Sequence, residues 1–160
     1  MTSVNIETNH GSISFDLLPD LAPETVRNFV KLAKDGFYDG TLFHRVIPGF
    51  MIQGGDPNTK DPNMKSQWGM GGPGYNVKAE FSSRSHLRGI VSMARAMDPD
   101  SAGSQFFIVT KDSTFLDREY TVFGVVTEGI DVADKIVSLD RDNNDCPLEN
   151  AKMVKVSISE

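Results

Sequence analysis

The chain has one cysteine, Cys146, and one cysteine cannot close an internal disulfide. Its neighbours are acidic, which disfavours a thiolate, so it reads as a loop thiol. Basic charge is also scarce. Sixteen Lys and Arg against 22 Asp and Glu leave a formal net charge of −6, which argues against a nucleic-acid partner. Arg84 and Arg88 flank His86, but so short a basic patch reads as a solvated loop. No run approaches the roughly 20 apolar residues of a membrane span. The start, Met1 to Glu7, lacks the basic and apolar regions of a secretory signal, and Ser157 to Glu160 carries no lipidation or retention signal. No membrane association is expected, and the cytoplasm is the expected location.

Chemical motifs are missing too. The three histidines, His10, His44 and His86, have no second His, Cys or carboxylate at metal-ligating spacing, so neither a metal nor a cofactor is expected. There is no Gly-x-Ser-x-Gly elbow for a serine hydrolase. The glycines between Gly69 and Gly74 are not followed by the Lys-Ser/Thr of a phosphate loop. Asp140 to Asp145 begins like a calcium loop. It then places Asp145 where glycine is wanted and Ala151 where glutamate is wanted, so it reads as a solvated acidic turn.

What remains is ordinary globular composition, 39% hydrophobic and 24% charged over 160 residues, which fits one domain over 1–160. Val4–Thr8 and Ser12–Leu17 alternate around Asn9-His10-Gly11 and read as a hairpin. Pro23 suits a first helical position. Val26, Phe29, Val30 and Ala33 make a helical stripe, and Gly36 a C-cap. Residues 57–74 are rich in breakers and read as one long loop, with Trp68 a local anchor. Residues 89–94, 105–110, 121–126 and 153–158 read as strands, and 130–137 as a second short helix. Seven or eight short strands with two helices point to a mainly β, closed antiparallel barrel, with the helices over its open ends.

The most informative stretch is Phe43 to Asp56, two apolar runs around Pro48-Gly49. It reads as strand, bend, strand. Arg45 is a permanent charge inside it, costly unless something satisfies it. Strand alternation puts Phe43, Arg45 and Ile47 on one face. A two-residue loop would pair Ile47 with Phe50 and Arg45 with Ile52. A three-residue loop, Pro48-Gly49-Phe50, pairs Ile47 with Met51 and Arg45 with Gln53. The second is favoured because it gives Arg45 a polar neighbour and lets Phe50 lean over the same surface. Gln105, Phe107 and Val109 form a similar mixed face. His44, of opposite parity to Arg45, is expected as a hydrogen-bonded core histidine.

The run Phe-His-Arg-Val-Ile-Pro-Gly-Phe-Met-Ile-Gln-Gly-Gly-Asp resembles the signature segment of the cyclophilins, the peptidyl-prolyl cis-trans isomerases. Residues 71–75, Glu80-Phe81, 89–94, 103–108 and 122–124 resemble that family's later segments, so the likeness spans nearly the whole chain. It implies a closed eight-stranded barrel capped by two helices, with the active site on the outer surface. It implies Arg45 as the catalytic arginine and Gln53 as the residue orienting it. It implies Phe50, Met51, Phe107 and Leu116 as the proline pocket, and Ala94, Arg95 and Gln105 as holding the substrate backbone. Three positions depart from the best-known members: Phe115 stands for tryptophan, Tyr120 for histidine and Arg95 for asparagine. Tyr120 can still wall the pocket. Arg95 offers charge to acidic residues beside the proline. The loss of tryptophan implies weaker cyclosporin binding. The expected activity is isomerisation of X-Pro bonds in folding proteins and proline-containing peptides, by a monomer. The competing reading is a non-catalytic module that docks proline-containing segments.

Overall fold

The alternating segments all become strands. The computed structural model describes residues 2–160. Its strands are β1 Ser3–Thr8, β2 Gly11–Leu17, β3 Phe43–Ile47, β4 Met51–Gly54, β5 Ile90–Met93, β6 Phe106–Val109, β7 Val122–Glu128 and β8 Met153–Ser159. They form one antiparallel sheet in the order β3-β4-β6-β5-β7-β2-β1-β8.

The expected closed barrel is instead an open, curled sheet. Its edge strands β3 and β8 do not pair as a ladder. They are linked beside their ends by an isolated bridge between Leu42 and Lys152, where Phe43 N–H donates to Ala151 O at 2.8 Å and Met153 N–H to Thr41 O at 2.8 Å. The reason lies in the acidic turn, which occupies the rest of the β3 edge. Val46 N–H donates to Asp145 O at 2.7 Å, and Arg141 donates to Val46 O at 3.1 Å. These bonds satisfy backbone groups that a barrel ladder would have used. Gly54 permits the close approach at this seam, since a Cβ there would fall 2.8 Å from Leu42 O.

The two helices are α1 Pro23–Lys34 and α2 Ile130–Val137. Pro23 opens α1. Gly36, at φ +74°, ends it as a Schellman turn, with Phe37 N–H donating to Leu32 O at 3.0 Å and Gly36 N–H to Ala33 O at 3.1 Å. The long loop is less irregular than its breakers suggest. Two 3₁₀ turns, Pro57–Lys60 and Pro62–Gln67, are each opened by an Asp-Pro-Asn triplet. Asp56 and Asp61 accept from the backbone N–H of Asn58 and Asn63 respectively. Trp68 does anchor locally, donating to Asp61 O at 3.2 Å.

Apolar side chains fall into two layers separated by the sheet. The inner one contains Phe15, Phe29, Tyr38, Phe43, Phe106, Phe123 and residues from both helices. The outer one contains Met51, Ile90, Phe107, Val109, Leu116 and Val122. Alternation along β6 sends Phe106 and Ile108 inward, Phe107 and Val109 outward. The alternation expected for β3 fails at one point. Phe43 pairs with Gly54 and Arg45 with Gln53, which leaves His44 as an extra, bulged residue. Phe43 therefore lies in the inner core, not on the face of Arg45. His44 is buried, but it is not the hydrogen-bonded core histidine expected. Among the described residues its Nδ1 has no hydrogen-bond partner, and its ring faces Gly69 of the long loop.

Phe29 is the hub of the inner layer. Its ring lies 4.8 to 5.8 Å, centroid to centroid, from those of Phe15, Tyr38, Phe106 and Phe123. Phe29→Ala should destabilise the fold by about 3–5 kcal/mol, read from the urea unfolding midpoint at unchanged slope.

Candidate active site

The bend between β3 and β4 takes the three-residue form. Ile47 pairs with Met51 and Arg45 with Gln53. Gly49 adopts φ +75°, a conformation that favours glycine. Thr110 N–H donates to Phe50 O at 2.9 Å, which ties the bend to the end of β6.

Arg45 is exposed and donates to Gln53 Oε1 at 3.3 Å. Gln53 Nε2 donates to Gln105 Oε1 at 3.0 Å. Gln105 Nε2 donates to Gly69 O at 2.9 Å and Gly71 O at 3.0 Å. The polarity of this chain is fixed at both ends, because a guanidinium only donates and a carbonyl only accepts. Neither amide can flip without setting donor against donor or acceptor against acceptor.

An apolar hollow lies beside this line. Met51, Phe107 and Leu116 are buried at its base, and Phe50, Ala94 and Tyr120 pack around them half-buried. Tyr120 meets Phe107 edge to face at 5.7 Å. Phe115 stands at the rim, 69% exposed, its ring 5.5 Å from that of Phe50. Ala94 N–H donates to Gln105 O at 3.0 Å, linking β5 to the polar line. A second recess of about 500 Å³ lies on the other side of Gln53 and Gln105, between residues 69–76 and 94–96.

Arg95 is held within the wall. It donates from Nε to Glu119 O at 2.9 Å, and from Nη1 to Ala96 O at 3.0 Å and Met97 O at 3.2 Å. Its guanidinium carbon lies 4.6 Å from the Tyr120 ring centroid, a cation–π arrangement. The charge thus ties the segment after β5 to the pocket's aromatic side.

Two groups behind the site escaped the sequence reading. His86 is fully buried, and its ring stacks on Phe107 at 6.2 Å. Nδ1 faces Asp117 Oδ1 at 3.1 Å and Nε2 faces Ser92 Oγ at 3.0 Å. Asp117 also accepts from Ser85 Oγ and His86 N–H, so its carboxylate assigns the His86 proton to Nδ1. Asp56, fully buried, accepts from Gly69 and Gly71 N–H. A histidine between two arginines and a carboxylate after two glycines gave only faint signals of these roles.

A sequence model of the family described as cyclophilin type peptidyl-prolyl cis-trans isomerase/CLD matches residues 3–158. A Brucella suis protein named probable peptidyl-prolyl cis-trans isomerase is 42% identical over 162 residues, covering 98% of this chain and 82% of that protein. Peptidyl-prolyl cis-trans isomerase B of Bacillus subtilis is 50% identical over 123 residues, covering 76% of this chain and 80% of that protein. Among solved structures, a Cryptosporidium parvum cyclophilin type isomerase, crystallised in the presence of the dipeptide Ala-Pro, matches with a TM-score of 0.89 at 32% identity, covering 99% of both chains. The chain belongs to the cyclophilin-type peptidyl-prolyl cis-trans isomerases. It is an enzyme that interconverts the cis and trans forms of X-Pro peptide bonds. No helix among the described residues is long and apolar enough to cross a membrane.

Burial pushes the His86 imidazole below its ordinary value, against the raising effect of Asp117. Burial lowers His44 as well, against Asp56. For both, the unfolded chain takes up the proton first. Their contribution to stability is therefore full above about pH 6.5 and is lost as pH falls through that value. The melting temperature should drop between pH 7 and pH 5, and the drop should be shallower in His86→Asn, as scanning calorimetry across that window would show.

Proposed function

We propose that Arg45 is the catalytic group and that it acts on the proline nitrogen without any covalent step. The support is its placement, on one sheet face with Gln53, beside a hollow of Phe50, Met51, Phe107, Leu116 and Tyr120. An X-Pro amide resists rotation because of its partial double bond, with a barrier of about 18–20 kcal/mol. When the amide twists, its nitrogen recovers a lone pair. A guanidinium donor aimed there stabilises the twisted form more than the planar one, and only such differential binding accelerates the reaction. Arginine suits this because its fork stays charged at any working pH. One of its five N–H donors goes to Gln53, leaving others for substrate.

The hollow would grip the proline ring while the rest of the peptide turns. Gln53 would hold Arg45, and Gln105 with the backbone at Ala94 and Arg95 would hold one side of the bond. Arg95, tied to Tyr120 and Glu119 O, would also shape the wall on that side. The substrates would be proline-containing peptides and proteins still folding, handled by a monomer in the cytoplasm.

Arg45→Ala should lower kcat/KM on a proline tetrapeptide on the order of a hundredfold, with the hollow intact. An unchanged rate would sink the assignment. Phe115, exposed at the rim, would offer cyclosporin less surface than tryptophan. Phe115→Trp should tighten cyclosporin binding measured by isothermal titration, and no gain would count against the placement of Phe115 at the ligand's edge.

A further inference from the structure

Asp56 is a fully buried carboxylate with no cation at ion-pair distance among the described residues. A buried charge is costly unless well hydrogen-bonded, so its partners show what it is there to hold. Oδ1 accepts from Asn58 N–H at 2.8 Å. Oδ2 accepts from Gly69 N–H at 2.5 Å and Gly71 N–H at 3.2 Å. Those two glycines are the ones whose carbonyls receive Gln105 Nε2. The loop backbone at 69–71 thus lies between Asp56 on one side and the amide line leading to Arg45 on the other. Gly71 has no room for a Cβ, which would strike Asp56 and Asn58.

We propose that Asp56 is a positioning residue for the isomerase. It holds the backbone at Gly69 and Gly71 so that their carbonyls fix Gln105. Gln105 orients Gln53, and Gln53 aims Arg45. The inference rests on the reading of Arg45 as the catalytic group, and it extends that reading to a residue that touches neither substrate nor arginine. Its physical content is directional. Released carbonyls would free Gln105 to flip, and a flipped pair of amides would present a donor to the guanidinium in place of an acceptor.

Asp56→Asn keeps the side chain's size but replaces one acceptor oxygen with a donor. It should lower kcat about tenfold, less than the roughly hundredfold that a 1 Å misplacement can cause, with KM nearly unchanged. In a Gln105→Leu background the same substitution should add nothing, because the relay is already cut. Wild-type kcat in Asp56→Asn, or an equal loss in both backgrounds, would overturn the proposal. Two measurements without substrate separate it from the reading of Arg45. The side-chain amide resonances of Gln53 should move in Asp56→Asn, and unmoved resonances refute the relay whatever Arg45→Ala shows. If Asp56→Asn fails to fold, Gln105→Leu should by reciprocity speed hydrogen exchange at the Gly69 and Gly71 amides. Unchanged exchange there refutes the relay too.

Discussion

A guanidinium on a sheet face it shares with an apolar hollow is the constraint from which the site follows. Among the described residues Arg45 has one acceptor, Gln53 Oε1 at 3.3 Å. Such a contact between exposed groups is weak alone, and a long charged side chain has many rotamers to lose. Behind Gln53, however, the hydrogen-bonded line continues. Each amide has its donor and acceptor ends assigned by the next group, back to carbonyls of a loop that is itself pinned to a buried carboxylate. On the proposed relay, precision on the surface would be supplied from the interior, as a reaction without a covalent intermediate to enforce geometry would require.

The hollow depends on the sheet in a different way. Its base uses the outward residues of strands whose inward residues form the core. Phe107 and Phe106 are neighbours on β6 and stand back to back. The inner layer is filled by Phe15, Phe29, Tyr38, Phe106 and Phe123 in mutual contact, so the wall behind the hollow cannot give way inward. His86 stiffens the same wall, stacked on Phe107 and bonded at both nitrogens.

Much of this was legible in the sequence because period-two alternation and turn chemistry are local. The register of Arg45 against Gln53 followed from asking which loop length gives a charge a polar neighbour, and the structure has that register. The helix over Pro23–Lys34 and its glycine stop were likewise written in spacing. Long-range choices were not. Nothing near Val46 announces that Asp145 O will take its N–H, so the sequence points to a closed barrel where the acidic turn holds the sheet open. In the sequence Pro57-Asn58 and Asp61-Pro62 read only as breakers. Only the fold shows Asp56 and Asp61 using them to start 3₁₀ turns. Asp56 itself joins residues 13 and 15 positions away, a separation that no periodicity marks.

The bulge at His44 reconciles the core with the site. Strict alternation would put Phe43 and Arg45 on one face. Either the phenylalanine would leave the core or the guanidinium would enter it, and a buried, unpaired charge is the costlier of the two. One extra residue between them sends Phe43 inward and Arg45 outward. The displaced residue is His44, left buried with Nδ1 unpartnered and its ring against Gly69. That glycine is also the one that accepts from Gln105 and donates to Asp56. The irregularity that frees the arginine from the core therefore sits against the loop whose carbonyls end the amide line. A change at His44 would be felt twice, once through the parity of β3 and once through the loop.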